Sequence, residues 1–125
     1  MAMTFKFPII ELVDRYTIAR VKYDKTTGAN AAELEFYQGE IDKLNVDVIK
    51  DDLIELENIH RRIWAMENDF KKCRLDGVDL AEIGRRALEI RDINNFRVQY
   101  KNSIAAKCND AVREIKQDHT SENRN

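Results

Sequence analysis

The chain is poor in the residues that interrupt helices. Its 125 residues include 4 Gly and one Pro, well below average usage. Few turns can be built from that supply, so the elements must be few and long. It also has no long hydrophobic run. No stretch approaches the roughly 18 apolar residues of a membrane-spanning helix, which predicts no membrane insertion. The opening MAMTFKFPIIELV carries one Lys and a short apolar run closed by Glu11 and Asp14, which does not read as a secretory leader. No charge sign dominates: 21 Lys and Arg stand against 23 Asp and Glu, for a net charge of -2, and the two signs are interleaved. Non-specific nucleic-acid binding needs a clustered positive surface, and none is encoded. The two cysteines, Cys73 and Cys108, show no CxxC spacing and no paired His, which argues against a structural zinc site. Both read as ordinary, partly buried thiols. Isolated Cys in a charge-rich chain suggests a reducing compartment, hence the cytoplasm. No Gly-rich phosphate loop and no GxSxG element occur, and no cofactor is indicated.

What is present is charge and helical periodicity. Charged residues make up 35% of the chain and apolar ones 43%; the charged share exceeds the usual quarter or so, the profile of helices with long solvated faces. The length fits one domain, and folding at this size buries roughly two-thirds of the chain's surface, enough for a core without staples. The expected fold is an all-α antiparallel bundle of three to four helices with a long C-terminal helix. One domain is expected over residues 1–117, with a disordered polar tail at 118–125.

Spacing predicts the first helix from about Pro8, a suitable N1 residue, to Lys25, with Ile10, Val13, Ile18 and Val21 on one face. Gly28 is placed to take the left-handed conformation that ends many helices. The second runs from Asn30, an expected N-cap, to Leu44, with Leu34, Tyr37, Ile41 and Leu44 inward and Gly39 costing it about 1 kcal/mol relative to Ala. NVDVIKDD (45–52) alternates like a strand but is too short to build a sheet, so it is read as a loop. The third helix runs from about Lys50 to Arg74 on a stripe of Leu53, Leu56, Ile63, Met66 and Phe70. A turn at Gly77 and a capping box, Asp79 with Glu82, begin the fourth, which meets no breaker before about Lys116. Its overhanging end, with Ile104, Cys108, Ala111, Val112 and Ile115, predicts a partner surface and a homodimer, coiled-coil-like, through this helix.

The fourth helix holds the best functional lead. Its expected inward stripe reads Leu80, Ile83, Ala87 and Ile90, then Asn94, Arg97 and Lys101, then Ile104 and Cys108. Three polar side chains interrupt an apolar seam. On the third helix His60, Trp64 and Glu67 recur at helical spacing and should lie opposite, because a short turn makes the two helices antiparallel. Glu11, Asp14 and Arg15 of the first helix offer a neighbouring surface. The first reading of these residues is a buried polar layer that fixes register, with Arg97 and Lys101 snorkelling at its edge. The second is a pocket for an anion, with Arg97 and Lys101 as donors and Asn94 as the orienting group. The third is a divalent-metal site of Glu11, Asp14 and Glu67, although no Glu-x-x-His pair and no doubled-Glu motif occurs.

The segments ELVDRYTIARVK (11–22), IWAMENDF (63–70) and NNFRVQYKNSI (94–104) resemble, in order, a small uncharacterised bacterial all-helical family. The shared pattern falls on Glu11, Leu12, Asp14, Arg15, Ile18 and Lys22, on Trp64 and Glu67, and on Asn94, Arg97, Lys101 and Ile104. The chain departs from the pattern in TTGANAAELEF and after residue 105. The resemblance implies no assigned activity. Its members are often encoded near glycosyltransferases of surface-polysaccharide synthesis.

The expected function is therefore a non-enzymatic binding or scaffolding module. Its ligand residues would be Asp14, Arg15, His60, Trp64, Glu67, Asn94, Arg97 and Lys101, with no catalytic residue, and the ligand an anionic or sugar-containing small molecule. The competing expectation is a metal-dependent hydrolase of nucleotides or sugar phosphates in an all-α bundle.

Overall fold

The computed structural model describes residues 7–72 and 80–115, with side chains up to 68 in the first span. Among these residues the protein is all-α. It has four helices: α1 Ile9–Lys25, α2 Ala31–Ile41, α3 Val46–Lys72 and α4 Leu80–Lys107. Ion pairs and one hydrogen bond set the directions. Lys22 with Glu33 and Tyr16 with Gln38 make α1 and α2 an antiparallel hairpin. Asp52 with Lys107 and Arg62 with Glu89 run α3 and α4 antiparallel. Arg20 with Glu57 and Asp24 with Arg61 lay α1 parallel to α3.

The core sits where α1 meets the other three helices. Leu12, Val13, Tyr16, Ile41, Ile49, Leu53, Leu56 and Ile104 form one buried cluster. Lengths explain its position. At 1.5 Å per residue α1 is about 26 Å long, whereas α3 and α4 are about 40 Å each. Since α1 ends beside Arg61, the last turns of α3 and the first turns of α4 continue beyond it as a two-helix arm. Leu80 and Leu88 are exposed there. The predicted overhang thus lies at the start of α4 rather than at its end, and Leu80 and Ala87 are not inward as the stripe required. The buried side of α4 is Ile93, Val98, Lys101, Ile104 and Ala105.

Boundaries differ from the sequence expectation in four informative places. Pro8 precedes the first helical residue, and its carbonyl accepts from Glu11 and Leu12 N–H. Asn30 stands at the cap position of α2 but makes no capping bond; its amide donates to Ala19 O at 3.0 Å, tying the hairpin together instead. Of the stretch read as a loop at 45–52, all but Asn45 forms the first turns of α3, because Ile49, Leu53 and Leu56 are spaced to bury together. Most consequentially, α4 stops at Lys107. Asn109 has φ +60, Asp110 N–H donates to Ala105 O at 2.9 Å and Asn109 N–H to Ala106 O at 3.1 Å. That pair of bonds is a Schellman ending, with Asn in the left-handed position usually given to Gly. Gly28 is left-handed as expected, but Thr27, at φ +52, shares the turn with it. Cys73, Gly77, Asp79 and the 116–125 segment lie outside the described residues, and the Phe70 side chain outside the described side chains. Glu82 is described, and its two oxygens are engaged forward by Arg85 and Arg86.

Candidate functional site

Asp14 is the hub. It projects from α1 two residues before buried Tyr16, and its side chain keeps only 14% of its exposure. His60 of α3, 6% exposed, donates from Nε2 to Asp14 Oδ1 at 2.8 Å. From α4, Arg97 Nε approaches Oδ1 to 3.4 Å and Lys101 Nζ approaches Oδ2 to 3.5 Å. One carboxylate therefore joins three helices. Burial works to raise its pKa, but the His60 hydrogen bond and the charges of Arg97 and Lys101 outweigh it and hold the group below the ordinary Asp value.

The rest of the cluster arranges the cations. Asn94 Oδ1 accepts from Arg97 Nη1 at 3.0 Å, while its amide donates to Ile90 O at 3.1 Å; Asn94 orients Arg97 along the helix. Arg97 Nε is buried without a hydrogen bond, so it faces Asp14 as an ion pair alone. Lys101 is almost fully buried, at 3% side-chain exposure, and its ammonium is shared between Asp14 and Glu114 Oε1, the latter at 2.5 Å. One turn of α1 beyond Asp14, Thr17 is also buried, its hydroxyl donating to Val13 O.

Five of the eight expected ligand residues are thus brought together: Asp14, His60, Asn94, Arg97 and Lys101. Three are not. Arg15 lies on the exposed, α2-facing side of α1, with its guanidinium on Glu11 Oε1 and Tyr37 Oη and over the Phe7 ring. One helical residue separates it from Asp14 by about 100°, which is the reason. Trp64 is half-buried and Glu67 is exposed; both lie on α3 beyond the end of α1, and no described contact links either to Asp14. The alternative metal set does not converge: Glu11 is held by Arg15, Asp14 by His60, and Glu67 faces solvent. Among the described residues no three His, Cys, Asp or Glu groups are placed to hold a metal ion.

Sequence reasoning missed Glu114, Asn102 and Asp110. All three depend on the chain reversing after α4. The visible signal was the Asn109–Asp110 pair, since Asn is the commonest substitute for Gly in a left-handed cap. Past that turn, residues 110–115 run back along α4. Asp110 Oδ2 accepts from Ile9 N–H at 2.8 Å and so caps α1, whose own sequence supplies no cap. Those bonds to backbone N–H groups, Ile9 first and then Val112, hold the Asp110 carboxyl below its ordinary value. Asn102 then takes both backbone groups of Glu114: its amide donates to Glu114 O at 2.9 Å, and its oxygen accepts from Glu114 N–H at 2.9 Å.

Within the polar cluster Asp14, His60, Asn94, Arg97 and Lys101 engage one another or Glu114. A cleft of about 450 Å³ opens elsewhere, between Phe7, Ile9, Leu12, Leu44 and the α4 ending, and a smaller one of about 200 Å³ lies beside Tyr16, Arg20 and Lys50. Neither is lined by Asp14, His60, Arg97 or Lys101. No helix of the described residues is long and apolar enough to cross a membrane. Comparisons with family models, with curated proteins and with solved structures return no match to this chain.

Proposed function

We propose that the protein is a non-enzymatic helical binding and scaffolding module whose Arg97–Lys101 patch recognises an anionic group. The observation that carries this reading is the use of Lys101: a nearly buried ammonium on α4 holds a carboxylate that arrives from outside the helical core, that of Glu114. Charge-assisted contacts of this kind are strong and geometrically selective. Asp14 fixes the cations in place and balances part of their charge, so the patch is preorganised.

The competing reading, a metal-dependent hydrolase, needs at least three oxygen ligands directed at one point, whereas Glu11 is held by Arg15, Asp14 by His60, and Glu67 is exposed. The proposal further includes a cytoplasmic location and a homodimer, and it retains the likeness to the small bacterial helical family. Leu88 and Phe96, half exposed on α4, support a self-association surface.

A thermal-shift screen against inorganic phosphate, nucleotide sugars, sugar phosphates and divalent metals tests the reading. A ligand at a hundred times its Kd adds about 2.7 kcal/mol. The expected hit is an anion whose shift disappears in Arg97→Ala. A shift produced by metals alone would reverse the choice between the two readings. Sedimentation equilibrium of wild type and Phe96→Glu tests the dimer: a monomer in both would end that part of the proposal.

A further inference from the structure

The segment that follows α4 is read by the protein in the way a bound peptide is read. Glu114 is contacted at three atoms at once: backbone N–H and C=O by the two ends of the Asn102 amide, and the side-chain carboxylate by Lys101 Nζ. A side-chain amide bonded to both backbone groups of one residue recognises extended chain regardless of sequence, and the adjacent ammonium adds selection for an acidic side chain. The segment is held by these polar contacts and by its anchor at Asp110, because its own apolar side chains stay in solvent: Val112 is 45% and Ile115 83% exposed. A stretch that buries so little apolar surface opens locally at low free-energy cost. Its entry is nonetheless shaped in advance, since Asp110 Oδ1 accepts from Val112 N–H at 3.1 Å and Arg113 bonds back to the carbonyls of Asp110 and Val112.

We infer that the Lys101–Asn102 face of α4 is a docking site for a short extended peptide bearing a Glu side chain, and that residues 110–115 are its internal occupant, which a competing acidic segment displaces. The inference rests on the reading of the Arg97–Lys101 patch as anion-recognising and adds the ligand class and an autoinhibitory device. The groups that face the Glu114 carboxylate are Lys101 directly and, across the ammonium, Asp14 with His60 and Arg97.

The test titrates the heptapeptide NDAVREI, its NDAVRQI counterpart and inorganic phosphate into full-length wild type and the full-length Glu114→Gln variant, by calorimetry, with circular dichroism to establish folding. In parallel, exchange of the backbone amide proton at position 114 reports the closed segment. The expected result has three parts. NDAVREI binds Glu114→Gln at least tenfold more tightly than wild type. NDAVRQI binds at least tenfold more weakly than NDAVREI. Asn102→Ala speeds exchange of the Glu114 amide at least tenfold without unfolding the helices. Equal peptide affinity for wild type and Glu114→Gln would overturn the internal-occupant inference, and equal affinity for the two peptides would overturn the acidic ligand class. Phosphate binding without peptide binding would overturn the docking site and leave the anion patch standing. Binding of neither peptide nor phosphate would remove both. If Glu114→Gln fails to fold, amide exchange in Asn102→Ala decides the matter: unchanged protection of the Glu114 amide overturns the clamp.

Discussion

Asp14 shows why a buried charge can be kept without being a catalytic group. A carboxylate taken out of water must be repaid by close partners, and here three cationic or hydrogen-bonding side chains from two helices supply them. Removing the charge while keeping the shape would leave Lys101 and Arg97 facing a neutral amide. Asp14→Asn is therefore expected to lower stability by about 3 kcal/mol at neutral pH, measured by urea unfolding. The loss should shrink in acid. A carboxyl whose folded pKa is depressed contributes its full stability above its unfolded pKa, near 4, and loses it as pH falls through the lower folded value. Wild type and variant should consequently converge as pH falls below the ordinary Asp range; a constant gap across pH would show that shape, not charge, carries the cost. The Asp110 carboxylate follows the same sign. Asp110→Ala removes the acceptor for Ile9 N–H and should cost about 1 kcal/mol, the usual value of a helix N-cap, with faster exchange of the Ile9 amide as its local signature.

At the scale of the element, helix endings decide more than helix interiors. Asn109 adopts φ +60, and a β-branched residue there would carry a penalty of about 1–2 kcal/mol. Asn109→Val should therefore weaken the α4 ending and release residues 110–115 together with the Asp110 cap; Asn109→Gly should be neutral or slightly stabilising. Denaturant midpoints of the two variants, compared with amide exchange at Glu114, check this. In α2, a side chain built at Gly39 would meet nothing within 4 Å, so the interior glycine serves no packing purpose visible in the fold. Gly39→Ala is expected to raise stability by about 0.5–1 kcal/mol, and a loss of stability would reveal a contact made in some other assembly.

At the scale of the whole molecule, the described residues form a short core where α1 meets α2, α3 and α4, with an arm of α3 and α4 continuing beyond α1. Stability is concentrated at the core end, where Ile41, Ile49, Leu56 and Ile104 are almost wholly buried. Leu56→Ala should cost about 2–5 kcal/mol and lower the global unfolding midpoint. Truncating Leu88, which is half exposed on the arm, should cost no more than about 0.5 kcal/mol. Thermal or urea unfolding of the two variants side by side gives the comparison. A large effect at Leu88 would point to a buried dimer interface on the arm and so to the self-association proposed above.

The helical class, the number of helices and most inward faces were legible in the sequence, because burial at a period of about 3.6 is a local property: Val13, Ile41, Leu53, Leu56 and Ile104 could be placed inward from spacing alone. So could the polar interruption at Asn94, Arg97 and Lys101, since three polar residues in an apolar stripe need a reason wherever the helix packs. The partner of that interruption was only half legible. Asp14 and His60 were visible as candidates, but the choice of Asp14 over Arg15 follows from which side of α1 faces α3 and α4, and the exclusion of Trp64 and Glu67 from where α1 ends along α3. Glu114 was legible only through the Asn109–Asp110 pair. Its place depends on one left-handed residue, Asn109, whose alternative was simply another turn of helix. Contacts made 12 to 101 residues away in sequence, at Asn102 and at Ile9, hold the reversed segment in place.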